Sequence, residues 1–263
     1  MSFEGITEAP GVGAGSEQLS ILRTRYHLAR SHAEGRRVLE VACGGGMGLP
    51  YLAEVATQVV GVDIEASNVE RSARTARGDD KITVRAMDAH DLDFPDDSFD
   101  LVLLFEALYY LADPERFLSE VDRVLAPGGV LIITSVNCDW HGFNPSPFSR
   151  TYFGAPGLRK LLEGGGFDVD LSVGFEDRPD TSGKAKVLSL VKRVAVRLHL
   201  IPKTMKGKEK LKRIVFGKLT VIPEVLTDDL APLGERRSAD DLGGDFTNHK
   251  FLYAVATRSD QPA

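Results

Sequence analysis

The sequence predicts an α/β fold, a mostly parallel sheet covered by helices on both faces. Two observations predict it. Short runs of β-favouring apolar residues at 37–42, 58–63, 99–104 and 130–136 alternate with stretches of helical composition. The first of these runs ends in a glycine loop, Gly44, Gly45, Gly46 and Gly48, which leads into a further helix. At 263 residues and 43% hydrophobic, the chain suits one sizeable core with an elaboration rather than two large domains.

The elements follow in order. Residues 1–15 carry Gly and Pro and are expected to be loosely ordered, and Ser16 then starts a helix to about Ala33 with Leu19, Ile21, Leu22, Tyr26 and Ala29 as its apolar material. Val38, Leu39 and Val41 make a strand buried on both faces. The helix from Leu49 turns its free N–H groups towards the glycine loop, so strand, loop and helix form a nucleotide-sized cradle. Residues 58–63 are a second strand ending at Asp63, 66–76 a helix, and 81–87 a third strand with Ile82, Val84 and Ala86 alternating. Residues 99–104 form the fourth strand. Asp113 and Pro114 cap a helix through Leu125, because Asp accepts from free backbone N–H groups and Pro suits a first helical turn. Pro127, Gly128 and Gly129 turn the chain into the fifth strand at 130–136. A helix at 158–163 precedes the sixth strand at 167–173, and His249 opens the last strand.

The glycine spacing bears on the ligand. A dinucleotide fingerprint needs G-x-G-x-x-G, and the third glycine would fall on Leu49, which disfavours a nicotinamide cofactor. Asp63, about twenty residues beyond the loop, stands where a carboxylate can accept two hydrogen bonds from a ribose diol.

The stretch Glu40, Ala42, Cys43, Gly44, Gly46 resembles motif I of class I S-adenosylmethionine (SAM) methyltransferases, with Ala42 where that family most often has its first glycine. The run from Met87 through Asp88, Ala89 and His90 to Phe99 resembles the segment after the third strand in the type 11, UbiE-like branch. With Asp63, Phe105, Glu106 and the Pro127-Gly-Gly turn, five motifs stand in order over residues 37–136. The resemblance implies a Rossmann-like seven-stranded sheet with the last strand antiparallel, and SAM as cofactor with S-adenosylhomocysteine (SAH) as product. It implies cofactor contacts at Tyr26, Glu40, Ala42, Cys43, Gly44, Gly46, Asp63, Ile64, Asp88, Ala89 and Phe105. An N-terminal helix often lies over the cofactor in this family, which also brings in Arg23, Arg25 and His27. The implied reaction is in-line displacement at the sulfonium methyl, which needs alignment and, for an oxygen acceptor, a base.

Glu106 and His141 are the catalytic candidates, with Asp139 as a further base. Tyr109, Tyr110, Asn137 and Trp140 are the acceptor contacts, with Phe143 stacking beside them. The loop that follows the fifth strand lies at the sheet edge where open α/β folds bind ligands, and it holds the only Trp of the chain.

Between Thr181 and Thr220 stand twelve Lys plus Arg against one acid, Glu209, a local charge of +11 in a chain of net −6. Val187, Leu190, Val191, Val194, Leu198 and Ile201 recur at helical spacing among these cations, giving a basic amphipathic helix. It reads as a packed helix with solvated cations, or as a lid or docking face for an anionic acceptor such as a sugar or glycan precursor, or for a membrane surface through 184–218. The expected organisation is an N-terminal segment over the cofactor at 1–36, a core at 37–173, a basic insert at 174–248, and the last strand with a tail at 249–263. The net negative charge argues against nucleic acid as a partner. Two distant cysteines, Cys43 and Cys138, without metal-ligand spacing, fit reduced thiols and no metal. No apolar leader or span is read in the sequence, so a cytoplasmic location is expected; oligomeric state stays open. A SAM-binding regulator or scaffold without turnover is the alternative of a different class.

Overall fold

The computed structural model describes residues 10–146, 148–177 and 219–259. The chain runs β1 (Gly13–Ala14), α1 (Ser16–Ala33), β2 (Arg37–Val41), α2 (Leu49–Ala53), β3 (Gln58–Asp63), α3 (Ala66–Thr75), β4 (Ile82–Ala86) and β5 (Phe99–Phe105). It continues with α4 (Pro114–Val124), β6 (Leu125–Val136), α5 (Ala155–Gly164), β7 (Phe167–Glu176), β8 (Thr220–Val221), β9 (Arg236–Ser238) and β10 (His249–Arg258). Strands β2 to β6 pair in parallel, and β10 lies antiparallel between β6 and β7.

The sheet order is β4-β3-β2-β5-β6-β10-β7-β9. The chain steps outward from β2 in one direction and restarts at β5 in the other, so the order reverses between β2 and β5. Ligands of open α/β sheets bind at the carboxyl ends of the strands beside such a reversal. Seven strands are expected from the sequence and eight form. The eighth, β9, is a three-residue edge strand on β7, and Arg236 and Arg237 give it the charge and brevity that protect an edge. β6 starts at Leu125 rather than at 130, with a register shift against β5 between Phe99 and Leu101. The Asp113 carboxylate caps α4 as expected, accepting from the Arg116 N–H at 2.9 Å.

Alternation along each strand divides the core into two layers. Leu39, Val41, Val102, Leu104, Leu131 and Ile133 face α4 and α5, whose Phe117, Leu118, Leu158 and Leu162 complete one cluster. Val38, Leu101, Leu103, Val130 and Ile132 face α1 and α2, where Leu22, Tyr26, Leu49 and Leu52 complete the other.

A strap crosses the second layer. β8 pairs with β1, and Ile222 and Leu226 bury themselves in the layer of α1 and α2. The Leu226 N–H donates to the Met47 carbonyl of the glycine loop, and the Tyr51 hydroxyl donates to Asp228. Ser20 and Arg23 of α1 donate to the carbonyls of Pro232 and Ala231, while the Thr24 hydroxyl accepts from the Gly234 N–H. Residues 219–235 thereby bind α1 to α2, joining the described downstream part of the expected insert to the core. The basic helix expected from Lys184 to Ile201, with the rest of 184–218, lies outside the described residues. No described helix is long and apolar enough to cross a membrane.

Candidate active site

The glycine loop leaves β2 through a sharp reversal. Ala42 takes φ +56°, a left-handed conformation that costs a residue with a Cβ, where the resemblance places a glycine. The chain accepts the methyl there and packs it against the core layer of α4 and α5. Gly46 also lies at positive φ, and a Cβ on it would stand 2.8 Å from Ser72 Cβ. At Gly48 a Cβ would lie 1.9 Å from the Tyr26 ring, so the missing side chain is what lets α1 sit on the loop. Cys43 is buried beneath the loop beside Ser72, and burial pushes its thiol pKa far up, which suits packing and not nucleophilic chemistry.

Asp63 is 6% exposed at the end of β3. One carboxylate oxygen accepts from the Gly44 N–H at 2.9 Å; the other accepts from the Glu65 N–H at 2.9 Å and from Asn68 Nδ2 at 3.2 Å. These donors lock the carboxylate against the loop while the Gly44-bound oxygen keeps a second acceptor site. The next residue, Ile64, is 62% exposed and forms an apolar platform at the strand end. At the end of β4, Asp88 accepts from the His90 N–H at 2.9 Å and meets His90 Nδ1 at 2.7 Å. That backbone bond, helped by the imidazole, holds the Asp88 pKa below its ordinary value, while its second oxygen remains an acceptor. Ala89 packs beside it against the core.

Glu40 is the other acid of the loop, and alternation turns it towards α1. It is 2% exposed, and its Oε1 accepts the Tyr26 hydroxyl at 2.5 Å. Its Oε2 is buried with no hydrogen-bond partner. Burial raises the Glu40 pKa to about 7, against the opposing effects of the Tyr26 hydroxyl and the Arg25 cation. Burial also lifts the Tyr26 phenol well above its usual value, so it stays a donor. The Tyr26 ring meets Phe105 edge-on at 5.1 Å, and the Arg25 guanidinium lies 5.6 and 5.8 Å from those two ring centroids.

Glu106 follows at the end of β5 with φ +51°, in left-handed backbone that aims the side chain away from the strand's alternation. Its carboxylate accepts from Thr134 Oγ1 at 3.3 Å and from the Tyr109 hydroxyl at 3.4 Å. The Tyr109 ring packs on Tyr110 at 4.5 Å and stacks on Tyr152 at 4.8 Å, and Phe143 meets Tyr152 edge-on at 4.7 Å. The loop after β6 closes on this cluster through the Arg150 N–H to Tyr109 carbonyl bond.

The structure therefore brings together Tyr26, Glu40 and Phe105, with Glu106, Tyr109 and Tyr110 directly following, and gathers Asp63 to Gly44. Its treatment of the loop after β6 differs from expectation. Asn137 is fully buried; its amide nitrogen donates to the carbonyls of Phe246 and His249, and its oxygen accepts from the Asp139 N–H. That side chain clamps backbone rather than facing a ligand. Trp140 donates to Asp177 with Lys250 over its ring, and His141 is exposed, its N–H bonded to the Thr247 carbonyl. The sequence alone does not single out Thr134 or Tyr152. Thr134 looks like any core strand residue there, and only the fold carries Tyr152 back to Tyr109. Among the described residues no cluster of His, Cys, Asp and Glu has the makings of a metal site.

Comparison with known proteins fits this arrangement. Residues 39–133 match the type 11 methyltransferase domain. A probable SAM-dependent methyltransferase of Mycolicibacterium smegmatis is 35% identical over 57% of this chain and 58% of its own length. A demethylmenaquinone methyltransferase of Clavibacter sepedonicus is 35% identical over 57% of this chain and 61% of its own. The chain thus spans about two to three fifths of the length of the curated relatives it matches. The solved structure of a putative sarcosine dimethylglycine methyltransferase from Galdieria sulphuraria has the same fold, with a TM-score of 0.60 at 18% identity over 97% of this chain and 95% of that one. Residues 39–133 thus carry a match to the type 11 methyltransferase domain, and the chain shares its fold with a solved methyltransferase structure.

Proposed function

We propose that the chain methylates a small-molecule acceptor, with SAM as donor. The observation that carries this reading is the Glu106 carboxylate, poised between Thr134 and Tyr109 one residue beyond Phe105, whose ring meets Tyr26 of the Glu40 and Tyr26 pair. Bound SAM would supply a methyl group on a positively charged sulfur. The residues fit such a ligand: the partnerless buried Oε2 of Glu40 suits an ammonium group, the Gly44-bound oxygen of Asp63 suits a ribose diol, and Asp88 with Ile64 suits a purine and its amino group. Glu106 would take the acceptor's proton, with Thr134 and Tyr109 fixing its two oxygens. Phe105, Tyr26 and α1 exclude water from the transfer site.

For the acceptor we favour a ring carrying an ionisable hydroxyl. Tyr109, Tyr110, Phe143 and Tyr152 form an aromatic wall beside Glu106, and one relative is named a demethylmenaquinone methyltransferase. A sugar-linked or otherwise anionic acceptor is the second reading, favoured by the +11 charge of residues 181–220, and a membrane contact through that segment goes with it. The test has two stages. SAH at about a hundred times its dissociation constant should add roughly 2.7 kcal/mol of stability, read as a melting rise of several degrees. Transfer of a labelled methyl group should then appear on hydroxylated aromatic acceptors and not on sugar phosphates. A flat melting curve sinks the cofactor assignment; SAH binding without transfer to any acceptor pool favours the non-catalytic alternative.

A further inference from the structure

His90 stands two residues past Asp88, and both nitrogens of its ring are engaged. Nε2 accepts from the Asp113 N–H at 3.2 Å, and Nδ1 lies 2.7 Å from Asp88 Oδ1. An imidazole nitrogen that accepts carries no proton, so the ring proton sits on Nδ1 and is donated to the carboxylate. Asp113 has this N–H to give because it stands just before the first turn of α4, with its own carboxylate turned back to the Arg116 N–H. The ring therefore ties the segment after β4 to the start of α4.

The rest of this segment is pinned to the same helix. The Leu92 N–H donates to Glu120 at 2.8 Å, Arg123 Nη2 donates to the Leu92 carbonyl at 2.7 Å, and the Leu92 side chain is buried. Those bonds hold the far end of the turn, and His90 holds the near end, beside the carboxylate. The imidazole is 15% exposed and the Asp88 side chain 50%, so a packed ring supports a carboxylate that stands half in solvent.

Saturation of one carboxylate oxygen sets what the other can do. Oδ1 accepts both the His90 backbone N–H at 2.9 Å and the Nδ1–H, which fills its two lone pairs. Oδ2 alone is left to accept from a ligand, and the two bonds to Oδ1 fix its direction. A half-exposed Asp would otherwise lose rotamer freedom on binding, a cost that a side chain already held in place avoids. A single anionic acceptor of fixed aim attracts an exocyclic amino group of a purine and repels a carbonyl oxygen standing in its place, because two acceptors have no proton to share.

We propose that His90 is a positioning residue for purine selectivity, aiming Asp88 Oδ2 so that the site takes an aminopurine and rejects its oxo counterpart. The inference rests on the cofactor reading above and adds a residue to it that touches no ligand. The probes are SAH and its deaminated analogue S-inosylhomocysteine, titrated calorimetrically into the full chain. The wild type should bind SAH about tenfold or more tightly than the analogue, the size of a hydrogen bond to a charged group. His90→Phe, which keeps a ring and loses both nitrogens, should cut that ratio about fivefold through weaker SAH binding, the size of a neutral hydrogen bond. His90→Asn, whose amide nitrogen can stand where Nδ1 does, should restore most of the ratio; if His90→Phe does not fold, His90→Ala takes its place. Nitrogen-resolved NMR spectra of the wild type should show the ring proton on Nδ1. No preference in the wild type, a ratio unchanged in His90→Phe, equal weakening of both ligands, or a proton on Nε2 overturns the proposal. A wild type that binds no SAH brings down the cofactor reading itself, whereas SAH binding with any of those results sinks this inference alone.

Discussion

The two halves of the candidate site, the proposed cofactor side and the proposed acceptor side, are built differently. On the cofactor side, β2 to β4 end in groups already fixed by short backbone bonds, as Asp63 is by Gly44 and Glu65. On the acceptor side, Glu106 is held by longer contacts of 3.3 and 3.4 Å, and the wall of Tyr109, Phe143 and Tyr152 comes from segments joined by packing. One ligand half is thus pre-formed, while the other is free to vary with little cost to the core. The proposed acceptor must accordingly be read from the second.

The sharpest way to break this contrast is Glu106→Gln. Removing a general base should lower turnover by about 10²- to 10⁴-fold while SAH affinity stays within twofold. A parallel loss of SAH binding in calorimetry would show that the two halves are not separable. The next largest effect is in pH. Because the folded Glu40 pKa, about 7, lies above its ordinary value of 4.5, the folded chain keeps a proton that the unfolded chain releases. That stability is complete below about pH 4.5 and is lost as pH rises through 7, to an extent on the order of 3 kcal/mol. Urea unfolding at pH 5 and pH 8 should show this slope in the wild type and a flatter one in Glu40→Gln.

Asp63→Ala should weaken SAH by about 1.5–3 kcal/mol, the cost of a charge-assisted bond, and disturb the glycine loop as well. Calorimetry with SAH and with adenosine should show both ligands affected, since both carry the diol. The smallest expected change is Ala42→Gly. Relief of the left-handed backbone is worth about 1–2 kcal/mol, partly offset by the greater freedom of glycine in the unfolded chain. A melting rise of about 1–3 °C should result, and a fall would mean that the methyl packing outweighs the strain.

The sequence makes the cofactor half legible because its signals are local. Apolar runs mark β2, β3 and β5, and Asp63 stands at a fixed distance from the glycine loop. Asp113 caps α4 through a bond within its own turn. What could not be read depends on contacts between distant segments. His90 looks like one polar residue in an acidic run until Asp113 is seen to donate to its ring, and Asn137 looks like a ligand group until its amide is seen to hold the carbonyls of Phe246 and His249. β9 has only three residues and no alternation to announce it, and Phe175 leaves its face through a backbone angle that no periodicity encodes.

The strap over α1 also has a bearing on synthesis. Its bonds from Ser20, Arg23 and Thr24 join residues 208 to 212 positions apart. At roughly 5–20 residues per second, about 10–40 s separate the appearance of α1 from that of the residues that hold it. Throughout that interval the ribosome has already delivered the glycine loop and Glu40, but Tyr26 has only α2 and the young sheet to rest on. Among the described helices α1 therefore waits longest for the residues that hold it, and it is the element that a chaperone would have most time to meet.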